Sequence, residues 1–461
     1  MLRLKRGHAN YEMDMCTGPL VPKIIRYSLP LMLTGILQLL YNAADIIVVG
    51  RFVGDTALAA VSSTGSLINL IVNVFMGLSV GTSVIVARYY GAGDAANVSK
   101  TVHTSIGVSL VCGVIVMIFG MTAARELLIW MDSPPDVLDQ ATVYVRIYFA
   151  GMIPNMLYNF GAAILRAVGD TRRPLYYLTI AGIVNVILNV IFVTVFHMGV
   201  AGVAWATIIS QAISMVLVMI CLIRSSSVIH LDWRKIRIYR DKLAELARIG
   251  LPAGFQGAFF SISNVLIQSS INSFGSIAMA GNGAASNIEG FVYTAMNTFY
   301  QSCLAFTSQN VGARKFDAIG RILGACIILV SIVGLVTGNL AYLFGHALVS
   351  IYSADPAVIE QGIERLSIVS TTYAICGVMD VLVGSLRGMG TSLLPMVVSM
   401  LGACGLRILW IYTIFAADHT LFMLYLSYPV SWVITAAVHF VCYLVIKRKL
   451  LRREGVELAH S

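Results

Sequence analysis

The sequence LRAVGDTRRP at residues 165–174 recurs in altered form as LRGMGTSLLP at residues 386–395, an offset of 221. Near the start of the chain the offset is 222, since Pro30 matches Pro252. Further matched positions lie between these points, at Gly54 and Gly275, Gly91 and Gly312, Ala92 and Ala313, and Pro135 and Pro356. A duplication that fills most of the chain predicts two halves built on one plan.

The composition identifies an integral membrane protein. Hydrophobic residues make up 58% of the chain and charged residues only 11%, whereas a soluble domain carries about 25% charged residues. Apolar runs of about 20 residues, the length that crosses a bilayer, recur along the chain. Backbone groups in lipid need partners within their own segment, so these runs are expected to be helices.

Twelve such runs divide evenly between the two halves. We place them at residues 24–49, 57–88, 98–122, 138–165, 174–197, 199–223, 249–273, 278–308, 322–345, 357–385, 394–416 and 420–446. Six crossings return the chain to its starting side, so the halves have the same orientation. The predicted fold class is therefore an all-α membrane protein with twelve transmembrane helices in two pseudo-symmetric six-helix lobes, a parallel repeat.

Polar segments set the predicted domain boundaries. These are a cytoplasmic N-terminal tail at 1–23, an N-lobe at 24–224, a linker at 225–248, a C-lobe at 249–446 and a basic cytoplasmic tail at 447–461. Within the linker, residues 232–240 are basic and amphipathic. They are predicted either as a helix lying on the inner leaflet or as a solvated linker that only follows the positive-inside rule.

The placement of charge indicates a membrane topology. The net charge is +9, a sign that nucleic-acid-binding proteins also show. Most basic residues fall into five clusters, at 3–6, 166–173, 224–248, 314–321 and 447–453. With the N-terminus inside, all five face the cytoplasm, which is the positive-inside pattern. We therefore predict that both termini are cytoplasmic and that nucleic acid is not a partner.

The sequence lacks the common motifs of metal and nucleotide chemistry. Its eight cysteines are scattered, mostly within predicted spans, without a Cys-x-x-Cys pair, and are interpreted as small apolar residues. Its eight histidines form no His-Glu-x-x-His motif, and no Gly-x-x-x-x-Gly-Lys-Ser/Thr loop occurs. We predict no resident metal, no cofactor and no ATP-driven step. A membrane-embedded enzyme is disfavoured for the same reason.

The first span carries the strongest candidate residue, Asp45. It shares a helical face with Gln38, Tyr41 and Asn42, at steps of three and four residues. A carboxylate at the centre of a transmembrane helix costs about 2.5–3.5 kcal/mol on insertion scales, and a bound proton or cation offsets its charge. Asp45 is therefore a candidate proton or Na⁺ site. The alternative is a hydrated structural cap near the outer end of the span.

Other polar residues of the N-half are predicted to surround Asp45. Asn185 and Asn189 lie one turn apart in the fifth span and are candidate ion-coupling residues, while Asn159 and Gln211 are candidate cavity residues. Further candidates for this cavity are Ser62, Ser66, Asn69, Asn73, Asn155, Thr207, Ser210 and Ser214. The alternative for each is hydrogen bonding between helices, which uses the same residue types.

The C-half carries different charges. Glu289 is followed by Tyr293 and Asn297 at four-residue steps, Asp380 lies in the tenth span, and Arg407 lies deep in the eleventh. A buried cation needs a partner, so Arg407 is predicted to pair with Asp380 or Glu289. This pair is either static or switchable. In the second case Glu289, Tyr293, Asp380 and Arg407 are substrate-cavity residues.

Four motif regions together resemble the multidrug and toxic compound extrusion (MATE) family. They are LP at 29–30 leading to NAAD at 42–45, ARYYGAG at 87–93, SQNVGA at 308–313, and the paired Leu-Arg-x-x-Gly segments at 165–169 and 386–390. The resemblance extends over about residues 20–450. It implies a bacterial secondary antiporter, driven by H⁺ or Na⁺, that exports amphipathic and usually cationic small molecules.

The resemblance also assigns residues. The first-span aspartate of the family falls on Asp45, and the tenth-span aspartate of one branch falls on Asp380. The seventh-span glutamate of that branch falls near Ser261. The fifth-span aspartate of the archaeal-type branch falls on Asn189, although the preceding asparagine is kept as Asn185. Neither complete carboxylate set is present, so H⁺ and Na⁺ both stay candidate coupling ions.

We therefore expect a multi-pass protein of the bacterial cytoplasmic membrane that works as a monomer and takes small organic cations as substrates. The main alternative is a lipid-linked oligosaccharide or lipid flippase of related architecture. Such a protein would line its cavity with several basic residues, whereas Arg407 is the one clear mid-membrane cation in the sequence. A channel is less compatible with two halves of unequal charge, which favour alternating access.

The two copies of the repeat differ at the charged positions. Asp45, Asp380, Glu289 and Arg407 correspond to Ile267, Asn159, Ile68 and Val186, respectively. The sequence therefore predicts that the scaffold is duplicated and that the chemistry is not.

Overall fold

The computed structural model describes residues 11–131 and 133–453. The predicted basic cluster at 3–6 and the end of the predicted C-terminal tail, residues 454–461, lie outside these residues, as does Asp132. The side chains of Asp55, Ser62, Ser63, Ser66 and Arg453 also lie outside the description. The predicted cavity roles of Ser62 and Ser66 therefore stay predictions.

Helices account for nearly all of the described chain, which contains no β-strand. They are α1 (Leu20–Phe52), α2 (Asp55–Ala92), α3 (Ala95–Trp130), α4 (Pro135–Ala150), α5 (Met152–Ala167), α6 (Arg172–Val190), α7 (Gly199–Ile223), α8 (Arg240–Asn272), α9 (Ser276–Gly312), α10 (Phe316–Leu343), α11 (Gly345–Ser350), α12 (Pro356–Arg365), α13 (Tyr373–Gly388), α14 (Leu393–Ser399), α15 (Leu406–Trp410) and α16 (Leu421–Arg453).

Short irregular turns join several of these helices into twelve long segments. Helices α4 and α5 meet at Gly151, α10 and α11 meet at Phe344, and π-helical turns follow α6, α12, α14 and α15. Within the described residues, eight helices are long and apolar enough to cross a membrane. The α12–α13 pair, bent by 44°, makes a ninth. The three remaining segments, α4–α5, α8 and α9, lie at the positions of predicted spans four, seven and eight.

The repeated Leu-Arg-x-x-Gly segment forms the same helix ending in both halves. The backbone N–H of Asp170 donates to the carbonyl of Leu165 at 2.9 Å, and that of Thr391 donates to Leu386 at 3.0 Å. Gly169 and Gly390 both have φ of +90°, a region that only glycine adopts without strain. Each glycine thus lets the chain leave one helix and begin the next.

The chain divides into two compact units whose limits differ from the predicted lobes. The first contains Leu33–Gly254 and the described residues up to Asp14, and the second contains Met15–Met32 and the chain from Phe255 onward. The predicted limits of 24–224 and 249–446 instead follow the hydropathy profile. The chain changes unit between Asp14 and Met15, inside α1 and inside α8, and the two changes inside helices come three residues after the matched prolines Pro30 and Pro252.

In the first unit, α8 packs tightly against α2 because glycines line their contact. Gly77 and Gly81 of α2 face Gly250 and Gly254 of α8. A Cβ on Gly77 would lie 2.5 Å from the Cα of Gly254, and one on Gly250 would lie 2.6 Å from the Cα of Leu78. Small residues at four-residue spacing allow such backbone approach between helices in membranes. This contact, the glycine crossing, explains why the start of α8 belongs to the first unit.

The second unit is centred on α9, α10, α13 and α16. Its buried core includes Ile267, Met379, Tyr425 and Trp432. The first turns of α1 belong here because the Ser28 hydroxyl lies 2.7 Å from that of Ser302. Local packing, not chain order, therefore decides which unit each half of α1 joins.

The inner-leaflet helix predicted within the linker is wrong for residues 232–239. They form one 3-10 turn, Trp233–Lys235, and otherwise extended chain. The solvated-linker alternative is also incomplete, because this segment is hydrogen-bonded to α3. The backbone N–H of Asp232 donates to His103 Nε2 at 3.2 Å, and that of Tyr239 donates to Thr104 Oγ1 at 3.2 Å. We call residues 232–239 the strap.

Candidate functional site

A polar cavity of about 260 Å³ lies within the first unit, between α1, α4, α5, α6 and α7. Its lining residues are Gln38, Tyr41, Asn42, Asp45, Tyr148, Asn155, Tyr158, Asn159, Leu178, Ala181, Gly182, Asn185, Thr207, Ser210, Gln211 and Ser214. The structure thus brings together candidates that the sequence places in four separate spans. Asn69 and Asn73 of α2 lie outside this lining, although they are predicted to be part of it.

Asp45 is held at one wall of this cavity by groups from two other helices. The side-chain amide of Asn189 donates to Asp45 Oδ1, and the Thr207 hydroxyl donates to Asp45 Oδ2 at 3.4 Å. Asn189 Nδ2 also donates to Asn185 Oδ1 at 3.2 Å. The carboxylate, two amides and a hydroxyl therefore form one hydrogen-bonded cluster.

One oxygen atom of this cluster accepts no hydrogen bond from the described residues. Asn189 is fully buried, and its Oδ1 has no hydrogen-bond partner among the described residues. Buried polar atoms are nearly always satisfied, so an exception needs an explanation. An oxygen beside a carboxylate, with a second amide oxygen and a hydroxyl nearby, has the chemistry of a site for a small hard cation.

Tyr41 forms another part of the wall through a close contact with α6. Its ring lies directly against Gly182, where an added Cβ would overlap the ring atoms. Its hydroxyl donates to the Thr179 carbonyl at 3.4 Å. The absence of a side chain at Gly182 therefore sets the position of the Tyr41 ring.

Two aromatic residues of the cavity are absent from the predicted set. Tyr148 of α4 lines the cavity together with Gln211, and Tyr158 of α5 is buried beside Asn159. Asn159 itself donates to the Asn155 carbonyl at 2.8 Å. A tyrosine within an apolar span fits a core and a cavity equally well, so the polar pattern alone does not identify it.

The charged candidates of the second unit are paired differently from the prediction. Arg365 lies at the end of α12 and contacts Glu289 with two nitrogens, Nη2 to Oε2 at 2.7 Å and Nε to Oε1 at 3.1 Å. Its Nη1 donates to Asn282 Oδ1 at 2.7 Å. Glu289 and Arg365 are both buried. The partner of Glu289 is therefore Arg365, not Arg407.

Arg407 has no ion-pair partner in the part of the chain that the structure describes, so its predicted pairing with a carboxylate is wrong. Its Nε donates to Ser431 Oγ at 2.9 Å, and its guanidinium lies 4.3 Å from the Tyr428 ring and 5.6 Å from the Trp432 ring. Cation–π contact with aromatic faces stabilises such a buried charge. The aromatic residues of α16 thus occupy the place predicted for an acid.

Asp380 of α13 lies next to a separate row of polar residues on α9. It lies close to Tyr293 of that helix. Asn297 Nδ2 donates to the Tyr293 hydroxyl at 3.3 Å, and Gln301 Nε2 donates to Asn297 Oδ1 at 3.3 Å. Of the four predicted second-unit candidates, Asp380 and Tyr293 lie close to each other. Their role in a substrate cavity stays a prediction.

A third buried arginine is also absent from the predicted set. Arg387 donates to the Tyr300 hydroxyl at 2.6 Å and to Gln256 Oε1 at 2.9 Å. Arg407 is therefore accompanied in this unit by two further buried arginines, Arg365 and Arg387. All three contact protein groups, so none is exposed to a ligand as a free charge.

Glu289→Gln is expected to lower the free energy of unfolding by about 3–5 kcal/mol, because Arg365 would stay buried without its counter-charge. Thermal unfolding of the purified protein in detergent measures this change. The control is Asp139→Asn, which breaks the exposed pair between Arg125 and Asp139 (2.9 Å) and should cost less than about 1 kcal/mol. Equal losses in the two variants would contradict a strongly coupled buried pair.

Comparison with known families gives a match in each half of the chain. The MatE family model matches residues 30–191 and again residues 252–413. Together the two matches cover more than half of the chain. Their spacing confirms the repeat predicted from the sequence.

Similar sequences occur in bacterial proteins named as multidrug resistance proteins. The chain is 27% identical over 389 residues to "Probable multidrug resistance protein YoeA" of Bacillus subtilis, covering 83% of this chain and 84% of that protein. It is 22% identical over 387 residues to "Probable multidrug resistance protein NorM" of Thermotoga maritima, covering 82% of each.

Solved structures share the fold. One is described as the outward-facing conformation of a multidrug resistance MATE family transporter, with a TM-score of 0.88, 23% identity, and coverage of 95% of this chain and 98% of that one. Another, a MOP superfamily transporter from Pyrococcus furiosus, has a TM-score of 0.89 and 22% identity at the same coverage. At this identity the likeness concerns the fold alone, and it confirms the predicted twelve-helix, two-lobe class.

Proposed function

The chain belongs to the MATE family of multidrug efflux transporters, and from that premise we propose that it is an H⁺- or Na⁺-coupled antiporter. It exports amphipathic, mainly cationic small molecules across the bacterial cytoplasmic membrane, with both termini in the cytoplasm. The observation that carries this proposal is the position of Asp45. Its carboxylate lies in a polar cavity, hydrogen-bonded to Asn189 and Thr207.

The chemistry of coupling follows from the two states of this carboxylate. Ionised, Asp45 accepts hydrogen bonds from Asn189 on α6 and Thr207 on α7, which ties α1 to both helices. A proton or Na⁺ on the carboxylate competes with these bonds and removes its net charge. The packing of α1 then differs between the loaded and unloaded states. Export requires that ion and substrate favour different conformations, since a ligand shifts an equilibrium only by its differential affinity.

Both candidate ions fit the cluster. A proton needs only one oxygen of Asp45. A sodium ion needs several oxygens, and Asp45, Thr207 and the unpartnered Oδ1 of Asn189 are the candidates to supply them. Asn185 contributes one more acceptor. Unlike a second carboxylate at position 189, an amide there adds no charge, so one monovalent cation neutralises the cluster.

The cavity walls also suit an organic cation. Tyr41, Tyr148 and Tyr158 supply aromatic faces, which attract cations through their ring quadrupoles. Asp45 supplies the charge. A lipid-linked pyrophosphate would instead need unpaired basic groups, and the described lining of this cavity contains none. These features favour antiport of cations over the flippase alternative.

The test is efflux from vesicles that contain the purified protein and a fluorescent organic cation. A proton gradient and a sodium gradient are imposed one at a time, with equal ionic strength on both sides. We expect one of them to drive cation movement against its own gradient. Movement at the same rate without either gradient would instead indicate a channel. Movement of labelled lipid but not of the cation would indicate a flippase.

Gly182→Ala is expected to raise the half-saturating substrate concentration roughly tenfold, because the new methyl group displaces the Tyr41 ring from the cavity wall. Overpacking of this kind costs about 1–3 kcal/mol. The same efflux assay, with substrate concentration varied, measures the change. Adding Tyr41→Ala removes the overlap, so the effects of the two substitutions should be strongly non-additive. Additive effects would show that Gly182 does not act through Tyr41.

A further inference from the structure

The strap, residues 232–239, is fixed to the protein by its backbone. Besides its two hydrogen bonds to α3, Ile238 packs on Gly107, where an added Cβ would lie 3.0 Å from the isoleucine side chain. His103 Nδ1 donates to the Ser99 carbonyl at 2.7 Å, which leaves Nε2 to accept from the strap. The strap is therefore packed against α3 as part of the first unit, and it is not a free linker.

With its backbone bound to α3, the strap presents basic and aromatic side chains outward. Trp233 is 63% exposed, and Arg234, Lys235 and Arg237 are exposed as well. The Arg234 guanidinium lies 5.2 Å from the Trp233 ring. Tryptophan is enriched at membrane interfaces, where its ring lies at the level of the headgroups.

Two further cations converge on one ring of the strap. Arg237 lies 5.7 Å and Lys100 of α3 lies 5.8 Å from the centre of the Tyr239 ring. Within the described chain no carboxylate oxygen lies within 4 Å of the side-chain nitrogens of Lys100, Arg234 or Arg237. The nearby Asp232 pairs with Lys235 at 3.2 Å and accepts from the Arg234 backbone N–H at 3.1 Å. Like charges held close together by a fixed backbone are stabilised by an anion between them.

The length and hydropathy of α3 indicate that the strap lies near the depth of the lipid headgroups. Helix α3 has 36 residues and is about 54 Å long at 1.5 Å per residue, against a hydrocarbon core of about 30 Å. Its first turns, residues 95–105, are largely polar, and its continuous apolar stretch begins at Ile106. The strap is bound at His103, Thr104 and Gly107, which is the boundary between these two parts.

We propose that the strap is a binding site for the phosphate headgroups of anionic phospholipids in the inner leaflet. Lys100 and Arg237 hold a phosphate over the edge of Tyr239, Arg234 contacts a second one, and Trp233 enters the interface beside them. The proposal does not depend on the transported substrate. It identifies a lipid partner for the segment that joins the two copies of the repeat.

The test compares the full-length protein in nanodiscs of phosphatidylcholine with and without phosphatidylglycerol. Hydrogen–deuterium exchange of the strap is the readout. We expect phosphatidylglycerol to slow this exchange. In the variant Arg234→Gln/Lys235→Gln/Arg237→Gln, the factor by which phosphatidylglycerol slows exchange should be at least tenfold smaller. Each basic residue near an anionic surface is worth about fivefold in binding. The matched control, Arg448→Gln/Lys449→Gln/Arg452→Gln, removes the same charge from the end of α16 and should leave strap exchange unchanged.

Two further measurements distinguish electrostatic binding of lipid headgroups from binding of a free anion. For the unaltered protein, NaCl at about 1 M reduces the screening length to about 3 Å and should abolish the phosphatidylglycerol effect. This arm needs no variant to fold. Equal exchange with and without phosphatidylglycerol would overturn the proposal, as would a triple variant that keeps the full effect. Equal protection by inorganic phosphate in pure phosphatidylcholine discs would overturn the lipid assignment in favour of a free-anion site.

Discussion

Asp45→Asn is expected to reduce gradient-driven efflux of an organic cation to the rate of protein-free vesicles. Asparagine has almost the same size and keeps hydrogen-bonding capacity toward Asn189 and Thr207, but it binds neither a proton nor a cation at neutral pH. The coupling ion then has no site, and the two conformations can no longer be driven by its gradient. Efflux from vesicles under the effective gradient measures the loss.

The control for this variant is Asp139→Asn, the same chemical change at an exposed carboxylate paired with Arg125. It should leave efflux unchanged. Asp45→Asn should also elute from size-exclusion chromatography as the unaltered protein does, because its neighbours keep hydrogen-bonding partners. Undiminished efflux by Asp45→Asn would remove Asp45 from the mechanism, whatever the coupling ion.

The second large effect is expected at the glycine crossing. Gly77→Ala places a methyl group against the backbone of Gly254, which has no side chain that can move aside. Helices α2 and α8 must separate, and the contacts along their shared face weaken. Overpacking a well-packed interface costs about 1–3 kcal/mol and sometimes more. Because the new methyl group would meet backbone atoms, which cannot move aside as a side chain can, we expect a cost at the upper end of this range. We expect a clearly lower unfolding temperature in detergent.

Gly65→Ala provides the matched control, because Gly65 lies in the same helix and an added Cβ there meets no atom within 4 Å. Alanine is favoured over glycine in a helix by about 1 kcal/mol, so this variant should be neutral or slightly stabilised. The two substitutions add the same methyl group to one helix. Similar unfolding temperatures for both would show that α2 and α8 do not depend on close backbone contact.

The first-unit cavity was largely predictable because its polar residues recur on helical faces within apolar spans. Gln38, Tyr41, Asn42 and Asp45 lie on one face of α1, and such a pattern in lipid has few explanations. The aromatic wall was not predictable in the same way. Tyr148 has an apolar ring and one polar atom, so its sequence context does not distinguish a core from a cavity.

The ion-pair partners of the buried charges in the second unit were not predictable from the sequence. The sequence predicts that Glu289 and Arg407 need partners, and both are indeed satisfied. It does not predict that Arg365 approaches Glu289 while Arg407 lies on the rings of Tyr428 and Trp432. The choice of partner depends on how whole helices pack against one another, and the pattern of polar residues along a single helix does not specify its neighbours.

The sequence by itself determined the membrane class, the twelve helical segments, the duplication and the polar face around Asp45. Each follows from a local rule: a bilayer sets helix length, backbone groups need partners, and buried polar residues recur with the helical period. Tertiary structure alone decided which distant groups meet. It pairs Arg365 with Glu289, seats the strap on α3, and brings Gly77 against Gly254. Such contacts depend on shape complementarity between whole helices, which one-dimensional spacing does not encode.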